Sequence, residues 1–95
     1  MSDPALLVLA SLANGDKHGY AMMEDIQLFA NTRLGPGTLY GAIARLEQRG
    51  WIRPVKSASR RQPYRITAEG RKRLKEQLAT LDQVVRTGTR RLREA

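Results

Sequence analysis

Residues 34–50 read Leu-Gly-Pro-Gly-Thr-Leu-Tyr-Gly-Ala-Ile-Ala-Arg-Leu-Glu-Gln-Arg-Gly, and together with residues 51–66 they leave few folds open. The Gly-Pro-Gly turn leads into a short helix that Gly50 ends, because glycine alone accepts the left-handed stop without cost. Trp51–Lys56 then reads as a strand, Ser57–Pro63 as a polar and basic loop, and Tyr64-Arg65-Ile66 as a second strand. Helix, strand, charged hairpin, strand is the order of a winged helix-turn-helix. The expected fold class is therefore mainly α (α+β): a winged helix-turn-helix with a long C-terminal dimerisation helix. Such a fold presents one helix and one basic hairpin to a nucleic-acid backbone together.

The flanking segments fit that frame. Asp3 is a good N-cap and Pro4 suits a first helical position, so a helix starts there. Leu6 to Leu12 is apolar around most of its circumference and runs to Asn14-Gly15. It is expected to bury more than one side, against its own domain and a second subunit. Gly15–Gly19 reads as a loop. Tyr20 to about Asn31 reads as a second helix, with Tyr20, Met23, Ile26, Leu28 and Phe29 as its apolar contributors. Thr32–Gly35 is the turn. The third helix runs from Gly37 or Thr38 to Arg49, and Leu39, Ile43 and Leu46, at i, i+4, i+7, face the core. The strands are set at Ile52–Lys56 and Tyr64–Thr67. The loop between them lacks an Asn-Gly hairpin signal and is expected to be long and mobile. Pro63 cannot donate to a ladder, so it belongs at a strand start or on an edge.

Thr67 is an N-cap for a last helix from Ala68. If helical to the terminus it is about 42 Å long. Leu74, Leu78, Leu81, Val85 and Leu92 lie at spacings of 4, 3, 4 and 7, with Gly88 in the skipped slot. That is a heptad seam, too long to bury on one small domain, and it is expected to pack on a second copy of itself. The division expected is 1–67 for the winged helix-turn-helix and 68–95 for the dimerisation helix. Leu6 and Leu9 of the first helix would join the seam residues at the interface.

Charge adds a partner. The chain of 95 residues carries 17 Lys and Arg against 9 Asp and Glu. Residues 1–44 net −2, residues 45–75 net +9 and residues 76–95 net +1. An excess gathered into one third of the chain is the footprint expected for a polyanion. The sequence has no Cys, which excludes disulfides and thiolate metal sites, and a single histidine, His18, leaves a metal without its usual ligands. No cofactor is expected. The start Met-Ser-Asp-Pro lacks a basic n-region, and no apolar run approaches the roughly 18–20 residues of a membrane span. A cytoplasmic protein without a membrane partner is expected.

The residues that would meet double-stranded DNA are set by the fold. The start of the third helix offers backbone N–H groups and a hydroxyl, and a helix N-terminus favours phosphate. Gly37, Thr38, Gly41, Ala42 and Arg45 form its expected reading face, small residues letting the helix sit deep. The Tyr40 hydroxyl suits a phosphate. Arg45 can bond guanine or phosphate. Lys56, Arg60, Arg61 and Arg65 of the wing are spaced to straddle a minor groove, mostly on phosphates. Trp51 is expected to plug the junction between wing and third helix, with a pocket-lining role as the alternative. No nucleophile–base constellation or carboxylate pair is visible, so an enzyme is not expected.

At these residues the chain resembles the PadR family of bacterial transcriptional regulators, in its short subfamily with a single C-terminal helix. The match rests on Leu6–Leu12 with Gly15, His18-Gly19-Tyr20, Pro36-Gly37-Thr38-Leu39-Tyr40, Leu46–Ile52, and Tyr64-Arg65-Ile66-Thr67-Ala68-Glu69-Gly70-Arg71. It covers about residues 5–75. The resemblance implies a homodimeric repressor on a pseudo-palindromic operator, dimerised by the last helix with help from the first. It also implies a small hydrophobic or phenolic effector. Two departures stand out: Pro63 precedes the strand tyrosine, and the last helix has no aromatic residue to stack a flat ligand between subunits. An effector pocket would then use Trp51, Met22, Met23 or the first helix. The rival expectation is a winged-helix module that binds protein or RNA without operator specificity.

Overall fold

The computed structural model describes residues 3–95. Four helices and three short strands succeed one another in order: α1 Pro4–Leu12, β1 Lys17–His18, α2 Gly19–Ala30, α3 Pro36–Gln48, β2 Ile52–Pro54, β3 Pro63–Ile66 and α4 Ala68–Glu94. The caps act where the residue types place them. Asp3 accepts a hydrogen bond from the Ala5 N–H at 3.0 Å, and Pro4 opens α1. Thr67 Oγ1 accepts from the Gly70 N–H at 3.0 Å and opens α4. Gly50 takes a φ of +77° and ends the α3 segment.

Three expectations about the elements are corrected. Lys17 and His18 are not loop: they form β1, antiparallel to β3, with Lys17 opposite Tyr64 and His18 opposite Pro63. The sheet order is β1-β3-β2, so β3 is central rather than half of a two-stranded hairpin. Pro63 is tolerated there because it is the first residue of its strand. Secondly, α3 starts at Pro36 with Gly35 as its cap, a residue or two earlier than expected. Thirdly, of the expected apolar contributors of α2 only Ile26 is fully buried and Met23 partly so. Met22 and Ile26 are its buried apolar residues, whereas Tyr20, Leu28 and Phe29 are exposed, Leu28 by 84%. The helix carries apolar residues on both sides, and contact with α1 and α3 selects one of them.

The core gathers Leu7, Val8, Leu9 and Leu12 of α1, Met22 and Ile26 of α2, Leu34, then Leu39, Ala42, Ile43 and Leu46 of α3. Ile52, Ile66 and Leu74 close it from the wing and α4. Ser11 is the buried polar residue of this core, and its hydroxyl donates to Asp25 Oδ2 at 2.7 Å, tying α1 to α2. Beyond Leu74 the last helix leaves the domain, and Leu78, Leu81, Val84, Val85 and Leu92 are exposed. The molecule accordingly measures 55 × 26 × 20 Å. A helix folded back along its own domain is not what the chain adopts.

Candidate nucleic-acid interface

Helix α3 meets the domain through a continuous stripe, Leu39, Ala42, Ile43 and Leu46, all buried. Ala42 therefore cannot read DNA; its exposure is 0%, because it lies between Leu39 and Leu46 on the inward face. The opposite face holds Gly37, Thr38, Tyr40 and Arg45, all exposed, with Gly41 half-buried. Ala44 and Gln48 are exposed too and continue the row begun by Gly37 and Gly41. Neither is among the expected contacts, although the periodicity that sets the core points to both. Gly35 offers the start of α3 no side-chain cap. The donors of its first turn thus stay available to an anion. The Arg45 guanidinium folds back toward Gly41, which would hold it 3.6 Å from an added Cβ.

The wing is the loop between β2 and β3, and its residues bond to one another. Ser57 Oγ accepts from the Ser59 N–H at 3.0 Å, and Ser59 Oγ accepts from the Arg61 N–H at 3.1 Å. The Gln62 amide donates to the carbonyls of Val55 and Pro63 at 2.9 and 2.7 Å. The loop expected to lack turn signals is thus shaped by side chains that mimic turns. Lys56, Arg60 and Arg61 are exposed along it.

A cleft of about 390 Å³ joins wing to helices; its walls include His18, Tyr20, Tyr40, Arg60, Arg61 and Tyr64. Tyr40 of α3 lies directly over Gly19, where a Cβ would collide with its hydroxyl. The Arg61 guanidinium stands 5.8 Å from the centre of the Tyr20 ring. Burial first, then the Glu47 carboxylate and Tyr40, push the Tyr64 hydroxyl above its ordinary pKa, so it stays a protonated donor.

The eleven bases of residues 45–75 divide by task. Arg65 grips Asp16 through two nitrogens, Nε to Oδ1 at 3.0 Å and Nη2 to Oδ2 at 2.8 Å. Its charge is therefore engaged within the domain, in contrast to the phosphate role expected of it. Arg71 donates to the Ala13 carbonyl at 3.2 Å and closes the end of α1. Arg49 and Arg73 stack on Trp51, 5.2 and 5.4 Å from its ring centre, and Arg73 also pairs with Glu69 and Glu76. No ion pair among the described residues engages Arg45, Arg53, Lys56, Arg60 or Arg61. The same holds of Lys72 and Lys75 on α4, and these seven are the bases the fold leaves for a polyanion.

Other expected sites are redistributed. Leu9 is fully buried and Leu74 nearly so, both in the domain's own core, so neither can be an interface residue. Leu6 remains partly exposed and lines a groove with Gln77 and Leu81. Met22 is sealed in the core and cannot line an effector pocket. Met23 borders an open cavity of about 340 Å³ on the α2 side, which includes neither Met22 nor Trp51. The three residues do not come together. Trp51 is the junction plug between two arginines. No group of three or more His, Asp or Glu side chains that could hold a metal converges among the described residues, and no described helix is long and apolar enough to cross a membrane.

Three packed helices, a three-stranded sheet and a basic wing define a winged-helix domain of the transcription-regulator class. Residues 8–76 match the transcriptional regulator PadR-like family, and the chain belongs to it. A transcriptional regulator from Clostridium thermocellum is 30% identical with a TM-score of 0.81, over 92% of this chain and 87% of the other. A PadR family transcription regulator from Clostridium difficile has the same fold at 23% identity and a TM-score of 0.84, covering 94% and 97%. A PadR-like regulator from Bacillus cereus superposes with a TM-score of 0.83 at 22% identity, over 93% and 89%. The chain is also 45% identical over 73 residues to an uncharacterised 37.1 kDa protein in transposon TN4556 of Streptomyces fradiae. That match takes in 77% of this chain and spans 21% of the relative's length.

Proposed function

We propose that the chain is a homodimeric, sequence-specific DNA-binding repressor of the PadR type. The observation that carries this reading is the shared cleft: Tyr40 of the reading helix and Arg60 and Arg61 of the wing face one space. A duplex backbone laid there meets helix and wing at once. In this reading residues 1–67 bind DNA and residues 68–95 dimerise. The α3 N-termini of two subunits enter successive major grooves about 34 Å apart, one helical turn. Gly37, Thr38, Gly41, Ala44 and Arg45 approach the bases, while Lys56, Arg60 and Arg61 hold phosphates.

The dimer is supported by the unpartnered seam of α4. Leu78, Leu81, Val85 and Leu92 expose an apolar row beyond the domain. Beside it, Gln77 Oε1 is buried without a hydrogen-bond partner among the described residues. A second copy would cover the row. Release by a small effector would act on the angle of the two α4 helices and so on the spacing of the reading heads.

The test is selection of DNA from a random pool by the purified protein at about 150 mM salt, a physiological ionic strength. Recovery of an inverted repeat with half-sites near one helical turn is the expected result. Recovery of no motif, with binding that only fades as salt rises, would overturn operator specificity and turn attention to RNA or protein partners. An effector whose binding releases DNA without changing head spacing would overturn the proposed release mechanism.

A further inference from the structure

His18 presents a hydrogen-bonding conflict that the protein alone does not resolve. Its Nδ1 caps α2 by accepting the Ala21 N–H at 3.2 Å. A backbone N–H can only donate, so Nδ1 carries the lone pair and the neutral ring bears its proton on Nε2. Nε2 lies 3.3 Å from the Arg61 guanidinium, which has donors only. Two donors thus face each other across 3.3 Å, both in the wall of the cleft that Tyr20, Tyr40 and Tyr64 also line. Such a pair is satisfied by an oxygen that accepts from both. The neighbouring hydroxyl of Tyr40 and the uncommitted charge of Arg60 favour an anionic oxygen over a neutral one.

We infer that this point is a seat for one DNA backbone phosphodiester, held by His18 Nε2–H and Arg61 and walled by the tyrosines. The inference rests on the DNA-binding reading above and extends it to α2 and β1, which the expected contact set did not include. The clamp would lock the wing to the α2 N-terminus when DNA is bound, because Arg61 belongs to the wing and His18 caps that helix. It fixes register and carries no base information.

The two donors differ in a way that can be measured. A neutral imidazole donates a hydrogen bond without displacing a condensed cation, whereas a guanidinium displaces about one. His18→Asn retains a strong N-cap, so α2 keeps its start, but removes the Nε2–H. The full chain is titrated with a fluorescein-labelled duplex spanning about three helical turns, containing the selected repeat or, if none emerges, of random sequence. Expected for H18N is an affinity loss of about tenfold with the salt slope unchanged. Arg61→Ala should lose affinity and also flatten the slope by about 0.9 per subunit. A scan of single methylphosphonate linkages needs no change in the protein. It should reveal one position per half-site whose neutralisation weakens the wild type more than H18N, where Arg61 alone still holds the phosphate. H18N binding like the wild type, or an identical scan for the two proteins, overturns the clamp while leaving DNA binding intact. Failure of the wild type to bind any duplex overturns both readings.

Discussion

An added Cβ at Gly70 would collide with the Trp51 carbonyl oxygen and come within 2.9 Å of Ile66 Cγ1. The first turn of α4 can approach the wing junction only because that position has no side chain. Gly70→Ala is therefore expected to destabilise the domain by about 1–3 kcal/mol, the range for overpacking a tight site. Gly88, on the same helix, has nothing within 4 Å. Gly88→Ala should stabilise α4 by up to about 1 kcal/mol through helix propensity. Urea midpoints at one protein concentration check both; a loss at Gly88 would place a neighbouring backbone against it. Asp16 supplies a pH effect. Hydrogen bonds from Arg65 hold its carboxyl below the ordinary value of 3.8. A lowered folded pKa means the pairing stabilises above that ordinary value and is lost as pH falls through the folded one. Asp16→Asn should flatten the acid limb of the stability curve below about pH 4 and little else, since the pair is exposed. An unchanged acid limb would show that the pair does not form in solution.

Among the elements, the wing carries the sharpest expectation. Arg60→Ala with Arg61→Ala should weaken specific and random DNA alike and lower the salt slope by about 1.8 per subunit, two released cations. Binding isotherms at several salt concentrations check this, and an unchanged slope would remove the wing from phosphate contact. How far the elements are legible in the sequence varies with what forms them. Helices α1 and α4 can be placed because Asp3-Pro4 and Thr67 are local signals, and the caps act over two or three residues. Strand β1 cannot, since Lys17-His18 has no strand character of its own. It exists because β3 offers a free edge that two backbone residues can satisfy. The phase of α2 is ambiguous in the sequence for a related reason. Tyr20, Leu28 and Phe29 compete with Met22 and Ile26 for the inward face, and only the neighbouring helices select between them.

The protein as one body is a winged-helix domain with a helix of 27 residues projecting from it. By helix rise that arm is about 40 Å long, most of it beyond the last core contact at Leu74. Its exposed leucines and valines need cover, and Leu6 and Leu81 already share a groove at its root. Leu78→Asp with Leu81→Asp is expected to yield a folded monomer, because neither residue is in the domain core, with operator affinity lost. Sedimentation or light scattering with circular dichroism checks it; a variant that stays dimeric would move the interface elsewhere.

Features that depend on neighbours along the chain are legible in the residues alone. Caps, the Gly50 stop, the Leu39-Ile43-Leu46 stripe and the clustering of bases are all short-range patterns, and with the family resemblance they are enough to recognise a winged helix. Which base serves which purpose is settled by the fold. Arg65 and Arg61 are four residues apart and equally cationic, yet one is bound to Asp16 and the other faces a cleft. Arg71 closes a helix that ends at residue 12, and His18 meets a wing arginine 43 residues away. Charge is a property of a side chain, but its availability depends on distant partners, and those the packed chain alone brings together.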